Sequence, residues 1–148
     1  MRVVLDTNVC LDAFVFADPR AAMLVAALAA GEVEAVTRAD CRDEWLAVLR
    51  YPTLKLDEAS IADASARFDK AVTLLPDTSV STTHPVVSPT TTLPRCRDPD
   101  DQKFLEVAAT SGASVLFSRD AEVLRLGRRT TRDGLFAIMK PEEWKSTP

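Results

Sequence analysis

The sequence predicts an α/β sandwich built on a parallel sheet. Two observations carry that prediction. Val3-Val4-Leu5 and Val115-Leu116-Phe117 are short, uninterrupted apolar runs, as strands buried on both faces are. The segments between such runs place apolar residues at helical spacing, so strands and helices alternate. A third observation bears on function: each of the two runs is followed at once by polar residues that include an aspartate, Asp6 and Asp120.

Along the chain, Arg2-Val3-Val4-Leu5 is the first strand and Asp6-Thr7-Asn8 the strand-to-helix turn, with a helix over residues 9–16. Asp18-Pro19 is a helix start, with Asp18 as N-cap and Pro19 in the first helical position. That helix runs to Ala30, and Gly31 stands where a left-handed C-terminal residue belongs. Residues 33–37 form a second strand. Asp40 begins a third helix, with Trp45, Val48 and Leu49 on one face, ending near Tyr51-Pro52. Residues 57–75 read as an amphipathic helix, with Ile61, Ala64, Phe68, Ala71 and Leu75 in register. A Thr/Pro/Ser-rich loop over about residues 76–94 carries one short strand at Val86-Val87. Asp98-Pro99-Asp100-Asp101 opens a helix that ends at Gly112. A strand over 114–117, a short helix after Asp120, a strand over 135–139 and a terminal helix from Pro141 carrying Trp144 complete the pattern.

At 148 residues, 47% hydrophobic and 27% charged, the chain reads as one folded domain spanning 1–148. Eighteen basic against twenty-two acidic side chains give a net charge of −4, which argues against a charge-driven nucleic-acid coat. An enzyme that meets nucleic acid through a bound metal is still allowed, because the metal cancels local negative charge. No apolar run approaches the ~18–20 residues of a membrane span. The N-terminal apolar stretch is too short for a signal peptide. Cys10, Cys41 and Cys96 form no C-x-x-C pair, so neither a zinc site nor a redox dithiol is indicated and a reducing cytoplasm is expected. Cys10 and Cys41 read as buried, and the two tryptophans as core. Four scattered glycines exclude dinucleotide and P-loop fingerprints. His84 is the only histidine, so a two-histidine mechanism is excluded.

Four carboxylates then stand out. Asp6 and Asp120 fall at the carboxyl ends of strands, where open parallel sheets form their sites. Glu44 lies beside Trp45 and so beside the apolar stripe of its helix. Asp101 shares a face with Phe104, Leu105 and Ala108, and an inward carboxylate must be paired, protonated or metal-bound. Helix capping also accounts for Asp6 and Asp120, and is the favoured account of Asp98 and Asp100. Acids converging without matching cations suit a hard divalent ion, Mg²⁺ or Mn²⁺. Such an ion suits phosphodiester hydrolysis, since it lowers the pKa of bound water and neutralises the leaving oxygen.

Together, Arg2-Val3-Val4-Leu5-Asp6-Thr7-Asn8-Val9, Asp43-Glu44-Trp45-Leu46, Cys96-Arg97-Asp98-Pro99-Asp100-Asp101-Gln102-Lys103-Phe104-Leu105-Glu106 and Leu116-Phe117-Ser118-Arg119-Asp120 resemble the PIN domain family. The likeness is strongest to its branch of toxin–antitoxin toxin components, the VapC-like ribonucleases. It implies a three-layer α/β/α fold with a five-stranded, mostly parallel sheet in the order 3-2-1-4-5. It implies a metal-dependent endoribonuclease holding one or two Mg²⁺ or Mn²⁺ ions through Asp6, Glu44, Asp101 and Asp120, with Asn8, Asp98 and Ser118 beside them. It further implies an RNA substrate, an antitoxin partner and a homodimer. The 76–94 segment is longer than the family pattern, and Ser118 stands where relatives often carry Thr.

Thirteen of the eighteen basic residues are arginine, and Arg119, Arg125, Arg128, Arg129 and Arg132 fall in one stretch. Next to Asp120, that stretch reads either as RNA phosphate contacts or as an ordinary solvated surface. Two other functions share some of these features. One is an aspartyl phosphatase or phosphoryl-transfer protein with Asp6 as nucleophile, although such folds usually place a second Asp where Asn8 stands. The other is a non-catalytic PIN-like module that binds RNA or protein.

Overall fold

A computed structural model of the protein describes residues 1–76 and 93–145. Five strands, β1 (Arg2–Leu5), β2 (Glu34–Thr37), β3 (Val72–Leu74), β4 (Val115–Phe117) and β5 (Ala137–Met139), form one sheet. Its order is β3-β2-β1-β4-β5 and every pairing is parallel. The central strand β1 pairs with β2 and β4, and its register puts Leu5 opposite Phe117. Asp6 and Ser118, the next residues, therefore emerge side by side at the carboxyl edge.

Alternation along the strands divides the core into two layers. Val3, Leu5, Ala35, Val115 and Phe117 face the helices α1 (Thr7–Phe14), α2 (Ala22–Ala29), α3 (Ala39–Leu49) and α4 (Glu58–Ala71). Phe14, Trp45 and Phe68 meet there, Trp45 and Phe68 stacked with ring centres 5.3 Å apart. Val4, Val36 and Leu116 face the other way, onto Phe104, Leu105 and Ala108 of α5 (Gln102–Ser111) and Val123 of α6 (Ala121–Leu124). A last helix, α7 (Gly127–Arg132), leads into β5. The expected three-layer α/β/α arrangement and strand order are both present.

Several boundaries differ from expectation. Asp6 itself caps α1, accepting the Thr7 N–H, so that helix starts at Thr7 rather than Val9. Asp18 caps a single 3-10 turn, Pro19–Ala21, before α2 begins. The helix expected to reach Leu75 stops at Ala71, and Val72–Leu74 is β3. The helical spacing runs on to Leu75, but β-branched Val72 and Thr73 take extended backbone and pair with Ala35 and Val36. The third strand of the sheet is thus β3; Val86-Val87, His84 and almost all of the 76–94 loop lie outside the described residues. The single short helix expected after Asp120 is two, α6 and α7. The terminal helix from Pro141 is one 3-10 turn, Pro141–Glu143, with Trp144 extended beyond it and set edge-on against Phe117. Gly112 closes α5 at φ 72°, a left-handed conformation that an L side chain resists.

No helix among the described residues is long and apolar enough to cross a membrane. Cys10 and Cys41 are buried, as expected, and all three cysteines are free.

Candidate active site

The carboxyl edge of the sheet gathers side chains from four separate segments. Asp6 is 4% exposed at the end of β1. Its Oδ1 accepts the Thr7 N–H at 2.7 Å and its Oδ2 accepts the Ser118 hydroxyl at 2.7 Å. Burial pushes the Asp6 carboxyl up to about 6, against the pull of those two donors, and the charges of Glu44 and Asp120 push the same way.

Asp120 follows β4 and caps α6. Its Oδ1 accepts the N–H groups of Glu122 (2.8 Å) and Val123 (3.3 Å), and its own N–H donates to Ser118 Oγ at 3.1 Å. Ser118 is fully buried and so links the two acids. Asn8 Oδ1 accepts the Arg119 N–H at 3.2 Å, a second tie between α1 and the turn after β4.

Glu44, half-buried on α3, is held at both oxygens. Oε2 accepts the Thr7 hydroxyl, and Oε1 accepts from Lys103 Nζ at 2.9 Å. Asp101 closes the 3-10 turn Pro99–Asp101 that Asp98 caps, and α5 follows it. No hydrogen-bond donor reaches the Asp101 carboxylate among the described residues. Burial raises that carboxyl to about 6, followed by the charges of Asp6, Asp120, Asp98 and Glu44. The same surroundings raise the half-buried Cys96 thiol to about 11, burial first and Asp101 next.

Asp98, Asp101 and Asp120 line an open cleft of about 390 Å³ together with Arg97, Pro99 and Glu122. Asp6, buried, and Glu44, held by Lys103, do not line it. Asp6, Glu44 and Asp120 all act electrostatically on Asp101, and Glu44 and Asp120 on Asp6, but the four are not equally accessible. No group of three or more His, Cys, Asp or Glu side chains among the described residues stands close enough to share one ion directly. The donor set still fits a hard cation. It is all oxygen, and Mg²⁺ commonly takes one or two carboxylates and completes its shell with water. Asp101 and the unbonded Oδ2 of Asp120 are free for that purpose.

The arginine stretch separates into two. Arg119 turns inward, with its side chain only 15% exposed, onto Asp12 of α1 and onto Glu142 at 2.8 Å. Its charge is spent inside the protein, so it is unlike the solvent-facing Arg125, Arg128 and Arg129. Arg125 pairs with Glu122 at 3.2 Å and Arg129 with Asp133 at 3.9 Å. Thr7, Lys103, Asp12 and the cleft residues Arg97 and Glu122 are neighbours that no sequence pattern marked. The presence of Thr7, Arg97 and Lys103 inside the quoted motifs was the one signal that pointed toward any of them.

Against models of known families, the chain matches the one described as PIN domain over residues 2–122, a span that contains all four acids. No curated protein matches it.

Proposed function

The chain belongs to the PIN domain family, whose members are generally nucleases that use divalent metal ions, and from that premise we propose that it is a metal-dependent endoribonuclease, the toxin of a toxin–antitoxin module. The observation that carries this reading is Asp101. Its carboxylate lines an open cleft beside Asp120, accepts no hydrogen bond among the described residues, and is pushed up by burial and by the three other candidate acids. Acids left to repel one another are what a hard divalent ion resolves.

Asp6, Glu44, Asp101 and Asp120 supply the negative field that attracts Mg²⁺ or Mn²⁺, and Asp101 and Asp120, which line the cleft, have the oxygens free to hold it. When bound, the ion supplies a Lewis acid that acidifies water and offsets charge on the phosphodiester. The chain does the positioning. Ser118 and Thr7 orient Asp6, Ser118 also fixes the Asp120 backbone, and Asn8 fixes the Arg119 backbone between them. Asp98 holds the turn that presents Asp101. Arg125, Arg128 and Arg129, on the surface that runs on from Glu122, contact the phosphates of the RNA strand. As in the toxin branch that the sequence resembles, the protein acts in the cytoplasm as one PIN-like domain, pairs with an antitoxin and forms a homodimer. Light scattering of the purified protein checks the last point.

An aspartyl phosphatase needs its aspartate presented to substrate. Asp6 is buried and both its oxygens accept hydrogen bonds, which disfavours that chemistry. The test is cleavage of a labelled, mixed-sequence single-stranded RNA by wild type and Asp6→Asn, with Mn²⁺, Mg²⁺ or EDTA. The expected result is metal-dependent cutting that the variant loses. No cutting, with no Mn²⁺ stabilisation of the wild type, replaces this reading with a non-catalytic binding module.

A further inference from the structure

Among the described residues Lys103 is the only cation ion-paired with any of the four acids. Its side chain is 17% exposed, and its ammonium reaches Glu44 Oε1 at 2.9 Å and the Asp100 carbonyl. The other Glu44 oxygen takes the Thr7 hydroxyl. Each Glu44 oxygen therefore accepts a protein donor, whereas Asp101 has none among the described residues and Asp120 keeps one oxygen free. The charge of the cluster is divided the same way: Glu44 is ion-paired, whereas Asp101 and Asp120 at the cleft have no ion pair among the described residues.

We propose that Lys103 is a built-in counter-cation that holds Glu44 away from metal, so that the site takes one divalent ion, on the Asp101–Asp120 side. Lys103 stands where a second ion would otherwise bind. An ammonium and a divalent cation compete for the same carboxylate, and the ammonium is attached to the chain and already in place. Its position is set twice, by the Asp100 carbonyl on its own turn and by the face of Phe104, 5.2 Å from the ammonium. Lys103 is a positioning residue here: it acts through Glu44. The inference rests on the nuclease reading only for the kind of cation bound.

The test is calorimetric titration of the metal-free protein with Mn²⁺ alone, for wild type, Lys103→Met, Lys103→Arg, Glu44→Gln and Asp101→Asn. Metal-free melting curves show which variants are folded. Wild type is expected to bind one ion. Asp101→Asn weakens that ion by about tenfold or more, as loss of a directly facing charge does, and Glu44→Gln weakens it less, by about threefold. Lys103→Met gains a second ion, or binds the first about tenfold more tightly, because a repelling charge has gone and Glu44 is free. Lys103→Arg, which keeps the charge, stays at one ion. A structural role for Lys103 does not produce tighter metal binding. Two ions in wild type, equal losses in Glu44→Gln and Asp101→Asn, or a Lys103→Met variant identical to wild type overturn the proposal. If wild type binds two ions and still cleaves RNA with Mn²⁺, this inference fails alone. If it binds none, the metal-dependent nuclease reading fails with it.

Discussion

Ser118 donates its hydroxyl to Asp6 Oδ2 at 2.7 Å and thereby joins the carboxyl ends of β1 and β4, the two central strands that bring the candidate acids together. The bond favours the charged form of Asp6 against burial. Ser118→Ala removes the donor and leaves a buried carboxylate with one partner fewer. The expected cost is about 1.5–3 kcal/mol of stability at neutral pH, the range for a hydrogen bond to a charged group. The acidic limb of the activity profile should also move to higher pH, because Asp6 then ionises less readily. Denaturant unfolding and a pH–rate series check the two parts separately.

Asp6 ties metal-free stability to pH. Its folded-state pKa, about 6, lies above the ordinary aspartate value of 3.8. Below about pH 4 the carboxyl is protonated in both states and its stability is fully present. As pH rises through 6 the buried group must ionise, and that stability is lost, on the order of 3 kcal/mol for a shift of about two units. Asp101 is raised in the same direction. The melting temperature of wild type relative to Asp6→Asn should therefore fall between pH 4 and pH 7 without metal. Added Mn²⁺ should stabilise wild type increasingly over the same window, since the acids shed protons to bind it. A difference curve that is flat with pH would contradict the assigned shift.

Arg119 and Asp12 form a pair with both side chains largely buried, and Glu142 adds a second carboxylate. Removing one partner strands the others. Arg119→Met should cost about 3 kcal/mol in denaturant unfolding, and Asp12→Asn somewhat less because Glu142 keeps part of the guanidinium satisfied. The double variant should lose less than the sum of the two, which is the signature of a direct interaction.

What the sequence shows of this fold depends on how much local signal each element carries. β1 and β4 are legible because three consecutive residues in each are buried, and Asp6 and Asp120 follow from where those strands end. Asp101 is legible because α5 has a clear apolar face beginning with Phe104 and Leu105. β3 is not: only Val72 of its three residues is buried, and its spacing continues that of α4. Long-range side-chain pairs leave no local trace at all. Glu44 and Lys103 are 59 residues apart and Arg119 and Asp12 are 107 apart, so a stretch rich in arginine looks uniform although one member is turned inward.

That division of the arginines yields the last expectation. A cation on a solvent-facing helix contributes to RNA affinity by releasing counterions, and single strands lose roughly 0.7 unit of log–log salt slope per phosphate contact removed. Arg128 has no ion-pair partner among the described residues, whereas Arg125 and Arg129 each neutralise a neighbouring carboxylate. Binding of single-stranded RNA is best measured in an Asp101→Asn background, where the proposed site predicts no cutting. There Arg128→Ala should weaken binding at low salt and reduce the slope by about 0.7. Arg125→Ala should weaken it at least as much at low salt, because Glu122, at the cleft, then keeps only the longer Arg97 contact at 3.7 Å. Arg119→Met, if it binds at all, should leave the slope unchanged, since its guanidinium meets Asp12 and Glu142 rather than solvent. An Arg119 variant that alone flattened the salt dependence would show that this side chain leaves its ion pairs to meet RNA, and would return it to the substrate-binding surface.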